Sequence, residues 1–153
     1  MDTAPSLSDI YNFREVDATL LTSGQPTEGQ LASVAQGGVQ VIINLALQNS
    51  PSALKDEAAA VAALGMGYIH IPVEFSAPTE ADLLAFFAAM DASRERKVLV
   101  HCAANKRVTA FLGLYRVLRQ GWSHDDAFAL MDSVWEPDAT WARVIAAMLE
   151  THR

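Results

Sequence analysis

The 153-residue chain carries a formal net charge of −7, with 51% hydrophobic and 19% charged residues. This excludes disordered and fibrous classes and fits one globular domain, residues 1–153, that buries about two-thirds of its unfolded surface. The acidic balance argues against nucleic acid or an anionic membrane as partner, because both need a positive surface field, so any anion site must be local.

In chain order, the opening "MDTAPSLSDIYNF" has neither the basic n-region nor the apolar h-region of a signal peptide. One cysteine cannot close an internal disulfide, which makes a reducing cytoplasm the expected location. No apolar run approaches the roughly 20 residues that span a bilayer, so a soluble chain is expected. Leu20–Ser23 reads as a strand, and Thr27 with Gln30 three residues on forms a capping-box start for a helix reaching about Gln36. "GGVQVIINLAL" follows as turn glycines and a β-branched buried strand. Ser50 and Pro51 suit the N-cap and first position of a helix whose Ala-rich body runs to Gly65.

"YIHIPV" is the next predicted strand. Pro78, Thr79, Glu80 and Asp82 open a helix with Leu83, Leu84, Phe86, Phe87 and Met90 at helical spacing, and "KVLVH" is a third buried strand. From Arg107 the positions Phe111, Leu112, Leu114, Tyr115 and Leu118 keep helical spacing to near Gly121; Ser123 and Asp138 start two further helices. Strands alternating with helices predict an α/β fold in three layers: a twisted, mostly parallel central sheet flanked by helices. Ligands in such folds bind beyond the C-terminal strand ends, where Cys102 lies.

The stretch "VLVHCAANKRVTAF", residues 98–111, leads from a strand through Cys102 into a helix containing Arg107. Such a junction turns backbone N–H groups and the positive end of a helix dipole toward one point, which attracts anions. The same field, with Lys106 and Arg107 nearby, favours a nucleophilic thiolate at Cys102, and Arg adds a planar fork for two oxygens of a tetrahedral oxyanion. The competing reading is a structural cysteine buried at a strand end. Cys102 and Arg107 in this setting point to the functional thiol.

These segments resemble the cysteine-dependent protein tyrosine and dual-specificity phosphatases, particularly small bacterial single-domain members. "NFREV" with "LLTSGQPTEGQL" resembles their opening segment, "VQVIINL" and "YIHIPV" two of their strands, and "VLVHC" followed by Arg107 and Tyr115 their signature loop. The resemblance runs from about Tyr11 to Arg119. It implies a dual-specificity-phosphatase-like fold, no cofactor, and a phosphorylated substrate, either a phosphoprotein or a small phosphate ester. It also implies a reaction through a thiophosphoryl-cysteine intermediate.

In that family five residues separate Cys from Arg, and Ser or Thr follows the Arg; here only Ala103, Ala104, Asn105 and Lys106 intervene. Tyr115 lies eight residues after Arg107, as the family's helix tyrosine does, so the helix keeps register and the loop is one residue short. Val108 then stands in the hydroxyl position, with Thr109 one place later. The family's loop glycine is absent, and Asn105 suits a left-handed backbone in its place. Residues 103–108 are the expected phosphate-binding segment. The resemblance also casts Glu74, after "YIHIPV", as general acid and His101 as a brace for the loop. Glu136 and Asp138 are candidate partners that orient Arg107, although Asp138 is also an obvious helix cap. His70, His124 and His152 lack metal-ligand spacing, so no metal is expected.

The four-residue gap between Cys102 and Arg107 is also that of rhodanese-like sulfurtransferases, which carry a cysteine persulfide. Sulfur transfer is therefore an alternative chemistry. An inactive phosphate-binding or interaction domain is a second.

Overall fold

The structure, a computed structural model, describes residues 6–152; residues 1–5 of the opening read for a leader lie outside them. Five short strands form the sheet: β1 (Arg14–Asp17), β2 (Leu20–Ser23), β3 (Val41–Asn44), β4 (Gly67–His70) and β5 (Val98–His101). Their order is β1-β2-β5-β3-β4, with β1 antiparallel to β2 and all other neighbours parallel. The expected α/β architecture is present, and β5 occupies the middle.

All four residues of β2, β3 and β5 are buried, as continuous apolar runs predict for a sheet covered on both faces. Successive side chains alternate between two cores. On one face Leu20, Val41, Ile43, Val98 and Val100 pack with residues of α3 (Glu80–Ala92), α4 (Lys106–Leu118), α5 (His124–Val134) and α6 (Ala139–Thr151). On the other, Leu21, Ile42 and Leu99 meet α1 (Glu28–Gln36) and α2 (Glu57–Ala63). The central strand thus delivers His101 and Cys102 to the C-terminal edge of a sheet wedged between both cores.

The helix starts at Thr27, Thr79, Ser123 and Asp138 form as read from sequence, the first two with complete capping boxes. The second helix does not start at Ser50 and Pro51. That stretch is a turn in which Ala53 N–H donates to the Ser50 carbonyl, and the cap is Asp56, whose Oδ1 accepts from Ala59 N–H at 3.1 Å. The later start puts Glu57 at the first helical position, where a carboxylate complements the dipole. β1 gave no apolar run to read: it is an edge strand of alternating half-buried and exposed residues. Arg116, which reads as a helix-surface charge, is buried, with its guanidinium 4.2 Å from the Trp122 ring centroid. Indole stacking accommodates a planar cation where a solvated face was expected.

Helices α4 and α5 approach closely at Gly113. A Cβ there would lie 2.3 Å from Phe128 Cδ1 and 2.4 Å from Cε1. Helix propensity favours Ala over Gly by about 1 kcal/mol, but overpacking costs about 1–3 kcal/mol. Gly113→Ala is therefore expected to lower unfolding free energy in a urea titration. A stabilised variant would contradict this packing.

Candidate functional site

The turn from β5 into α4 is held by bonds that pin its carbonyls. Cys102 C=O faces His101 Nδ1 at 3.2 Å, Ala103 C=O accepts from Gln25 N–H at 3.1 Å, and Ala104 C=O accepts from Asn12 Nδ2 at 3.1 Å. Peptide units among the described residues are trans, so each following N–H points opposite to its carbonyl. The N–H groups of Ala103, Ala104 and Asn105 are thereby turned away from these partners. The first N–H groups of α4, from Lys106 on, have no carbonyl one turn back to serve.

Asn105 adopts φ 65° and ψ 12°, the left-handed conformation its sequence position suggested. Its Nδ2 donates to Asn12 C=O at 2.9 Å and Thr22 Oγ1 at 3.0 Å. Asn12 and the loop therefore clamp each other through reciprocal amides. Gly24 lies against the same loop: a Cβ there would sit 2.6 Å from Ala103 O, so only glycine permits this approach.

Cys102 is fully buried and borders a cavity of about 230 Å³ lined also by Phe75, Ala103, Ala104, Lys106 and Arg107. Arg107 is 7% exposed. Its Nη1 donates to Val73 C=O at 2.8 Å, its guanidinium lies 5.8 Å from the Phe75 ring centroid, and its buried Nε has no protein partner. A buried, unmatched donor on a cation bordering a cavity is a ready site for an anion. Lys106 Nζ lies 5.7 Å from the Trp135 ring centroid.

Not every candidate joins this cavity. Glu74 is exposed, accepting from Ser76 Oγ at 3.4 Å within its own loop, while its neighbour Phe75 forms the wall. Chain alternation explains this: Val73 turns inward and Glu74 outward. Glu136 is exposed and Asp138 caps α6; neither supplies the bond to Arg107, which is Val73 C=O. Val108 has its side chain in the core. Thr109 Oγ1 lies 2.8 Å from Asn105 C=O and accepts from Trp135 Nε1 at 3.2 Å, so it braces the helix start.

His101 is fully buried, with Nε2 2.5 Å from Glu57 Oε2. Glu57, also buried, was not among the residues singled out from sequence. Gln25 Nε2 donates to its Oε1 at 2.9 Å. Burial alone would raise the Glu57 carboxyl. The hydrogen bond and charge of His101, with Gln25 and His70, outweigh it and hold the group below its ordinary value. A carboxyl lowered in the folded state contributes stability above its unfolded titration range, and that contribution is lost as pH falls through the folded value. The signal in sequence was slight: one Glu opening an Ala-rich helix. Among the described residues no cluster of three or more His, Cys, Asp or Glu could hold a metal, and no helix is long and apolar enough to cross a membrane.

The chain resembles known proteins over most of its length. A Xylella fastidiosa (strain Temecula1) "Beta-lactamase hydrolase-like protein" is 34% identical over 120 residues, 76% of this chain and 27% of that protein. The chain thus spans about a quarter of that curated relative. A Shewanella putrefaciens CN-32 protein of the DUF442 group superposes with TM-score 0.84 at 35% identity, covering 95% of this chain and 96% of its own. P. aeruginosa TpbA shares the fold, with TM-score 0.71 at 21% identity over 94% of this chain and 86% of its own. Residues 3–142 match the family described as "DSP-PTPase phosphatase fused to NAD+ Kinase". With its strand-end His101-Cys102 and the Arg107 helix on a five-stranded α/β scaffold, the chain belongs to that DSP-PTPase family, within the cysteine phosphatase superfamily.

Proposed function

We propose that the chain is a cysteine-dependent phosphatase that hydrolyses phosphate monoesters. The observation carrying this reading is that Cys102 and the buried Arg107, whose Nε has no protein partner, line one cavity at the start of α4. Cys102 thiolate attacks phosphorus, the P–O bond to the leaving group breaks, and the phosphoryl group passes to sulfur. Water then hydrolyses the phosphocysteine to release phosphate and restore the thiol. Arg107 and the N–H groups of residues 103–108 stabilise the equatorial oxygens, where developing charge is best met by fixed donors. Glu74 is the carboxyl we assign to protonating an alkoxide leaving group; it faces outward in the loop that places Phe75 at the cavity, so the role requires that loop to turn when substrate binds. P. aeruginosa TpbA has been crystallised with phosphotyrosine, which makes phosphotyrosine a first substrate to try. The free, oxidisable thiol of Cys102 favours a reducing, cytoplasmic setting.

An aryl phosphate with a weakly basic phenolate needs no acid to depart, so its hydrolysis tests Cys102 independently of Glu74. Wild type is expected to turn it over, and Cys102→Ser to lose activity to background while keeping its circular dichroism spectrum. Equal activity in the two proteins would contradict the reading.

A second reading is sulfur transfer. It is favoured by the four-residue gap from Cys102 to Arg107 and by a cavity lining without a carboxylate. Here Cys102 thiolate takes the outer sulfur of thiosulfate, releasing sulfite, and passes it from the persulfide to an acceptor thiol. Mass spectrometry after thiosulfate treatment distinguishes the readings: one added sulfur on the Cys102 peptide, without aryl phosphate turnover, supports the second.

A further inference from the structure

The buried pair behind the thiol has work to do in the proposed reaction. Two elements far apart in sequence, α2 and β5, bring Glu57 and His101 together under the loop. The ring's two nitrogens both face groups that only accept: the Glu57 carboxylate at Nε2 and the Cys102 carbonyl at Nδ1. A proton on each nitrogen beside an ionised Glu57 would let the ring donate to both acceptors, with the positive member of the pair on the Cys102 side.

We propose that Glu57 is a positioning residue for the Cys102 thiol. It holds His101 so that the ring fixes the Cys102 carbonyl, turns the Ala103 N–H to the loop's inner side, and presents positive charge behind the sulfur. This rests on the reading of Cys102 as the nucleophile. The positive member lies nearer to Cys102 than the negative one, so the pair favours the thiolate.

The groups facing the pair are accounted for. His70 on β4 has Nε2 at 2.6 Å from Ala46 C=O, and Tyr68 hydroxyl accepts from Asn44 Nδ2 at 3.0 Å. Gln25 donates to Glu57 from the β2–α1 turn. A polar cavity of about 240 Å³ is lined by Glu57 itself with Asn44, Lys55, Asp56 and Tyr68 among others. Across the loop stand the cations of Lys106 and Arg107.

Glu57→Gln keeps the shape and removes the charge. Its amide can donate to a singly protonated ring whose Nδ1–H still serves the Cys102 carbonyl. Iodoacetamide alkylation of Cys102 is expected to slow by ~3–10-fold at about pH 6 and to match wild type at about pH 10, where any thiol is ionised. Glu57→Asp, which restores a carboxylate, is expected to recover part of the loss at about pH 6. A merely structural Glu57 would leave the ratio of the two rates unchanged, and that result overturns the proposal. Should Glu57→Gln fail to fold, nitrogen NMR of wild type is the second measurement: both His101 nitrogens protonated at neutral pH is expected, and a singly protonated ring overturns it. Alkylation needs no turnover. An unaltered profile beside intact aryl phosphate hydrolysis defeats the role of Glu57 alone, whereas absent hydrolysis with an altered profile defeats only the phosphatase reading.

Discussion

Arg107→Ala is expected to lower kcat/KM for an aryl phosphate by about 10²–10³-fold, the loss typical of removing one fixed donor from developing negative charge. Arg107 is buried and lines the cavity, its Nη1 is committed to Val73 C=O, and its Nε has no protein partner. One edge therefore anchors the side chain and another stays available. Anchoring before substrate arrives means little ordering is left for the transition state. Arg107→Lys keeps the charge but loses the planar fork, so it is expected to recover only a small part of the rate. Stability falls as well in Arg107→Ala, because Val73 C=O is left without its donor at a cost of about 1–3 kcal/mol. Steady-state kinetics with parallel thermal melts separates the two effects. A rate within a few-fold of wild type would remove Arg107 from the oxyanion site.

Trp141→Ala is expected to destabilise the fold by about 3–5 kcal/mol, as for other large-to-small changes of buried aromatics. Trp141 is fully buried, with ring centroids of Phe75 and Phe111 each at 5.7 Å and Trp135 at 6.1 Å. Its Nε1 donates to Phe75 C=O at 2.8 Å. With the Arg107 bond to Val73, that contact ties the loop between β4 and α3 to the start of α4 and to α6. For a chain of this size the loss corresponds to a fall in Tm on the order of 10 °C. Trp141→Phe keeps an aromatic ring and deletes the N–H, so it is expected to melt between the two. Its KM should rise more than its kcat falls, since Phe75 forms a wall of the cavity and not the reacting centre. A melting temperature for Trp141→Ala equal to wild type would contradict the packing.

Much of the scaffold was legible because local chemistry decided it. Thr27, Thr79, Ser123 and Asp138 each satisfy an otherwise orphaned helix N–H, and the β-branched runs of β3 and β5 had nowhere to go but a buried sheet. Asn105 was legible for the same reason, since few residues accept a positive φ. What sequence could not show was decided by distant partners. Ser50 with Pro51 satisfies the same local rules as Asp56. The later start prevails where Glu57 meets His101, 44 residues away. β1 is stabilised by pairing with β2 and by no pattern of its own. Arg116 looked solvated because Trp122, its stacking partner, lies beyond the helix end. A carboxylate partner for Arg107 was a fair expectation for a buried cation, yet a backbone carbonyl serves. Glu74 and Phe75 are adjacent, so which of them faces Cys102 turns on the loop's path, set by Trp141 and Arg107.

The most direct measurement is acid quench of the first turnover of an aryl phosphate, followed by mass spectrometry of the peptide containing Cys102. The account expects one phosphoryl group on that sulfur, formed as phenolate is released and absent from the Arg107→Ala protein quenched at the same time. Phenolate released in that turnover with Cys102 unmodified, or with phosphate on another residue, would contradict it.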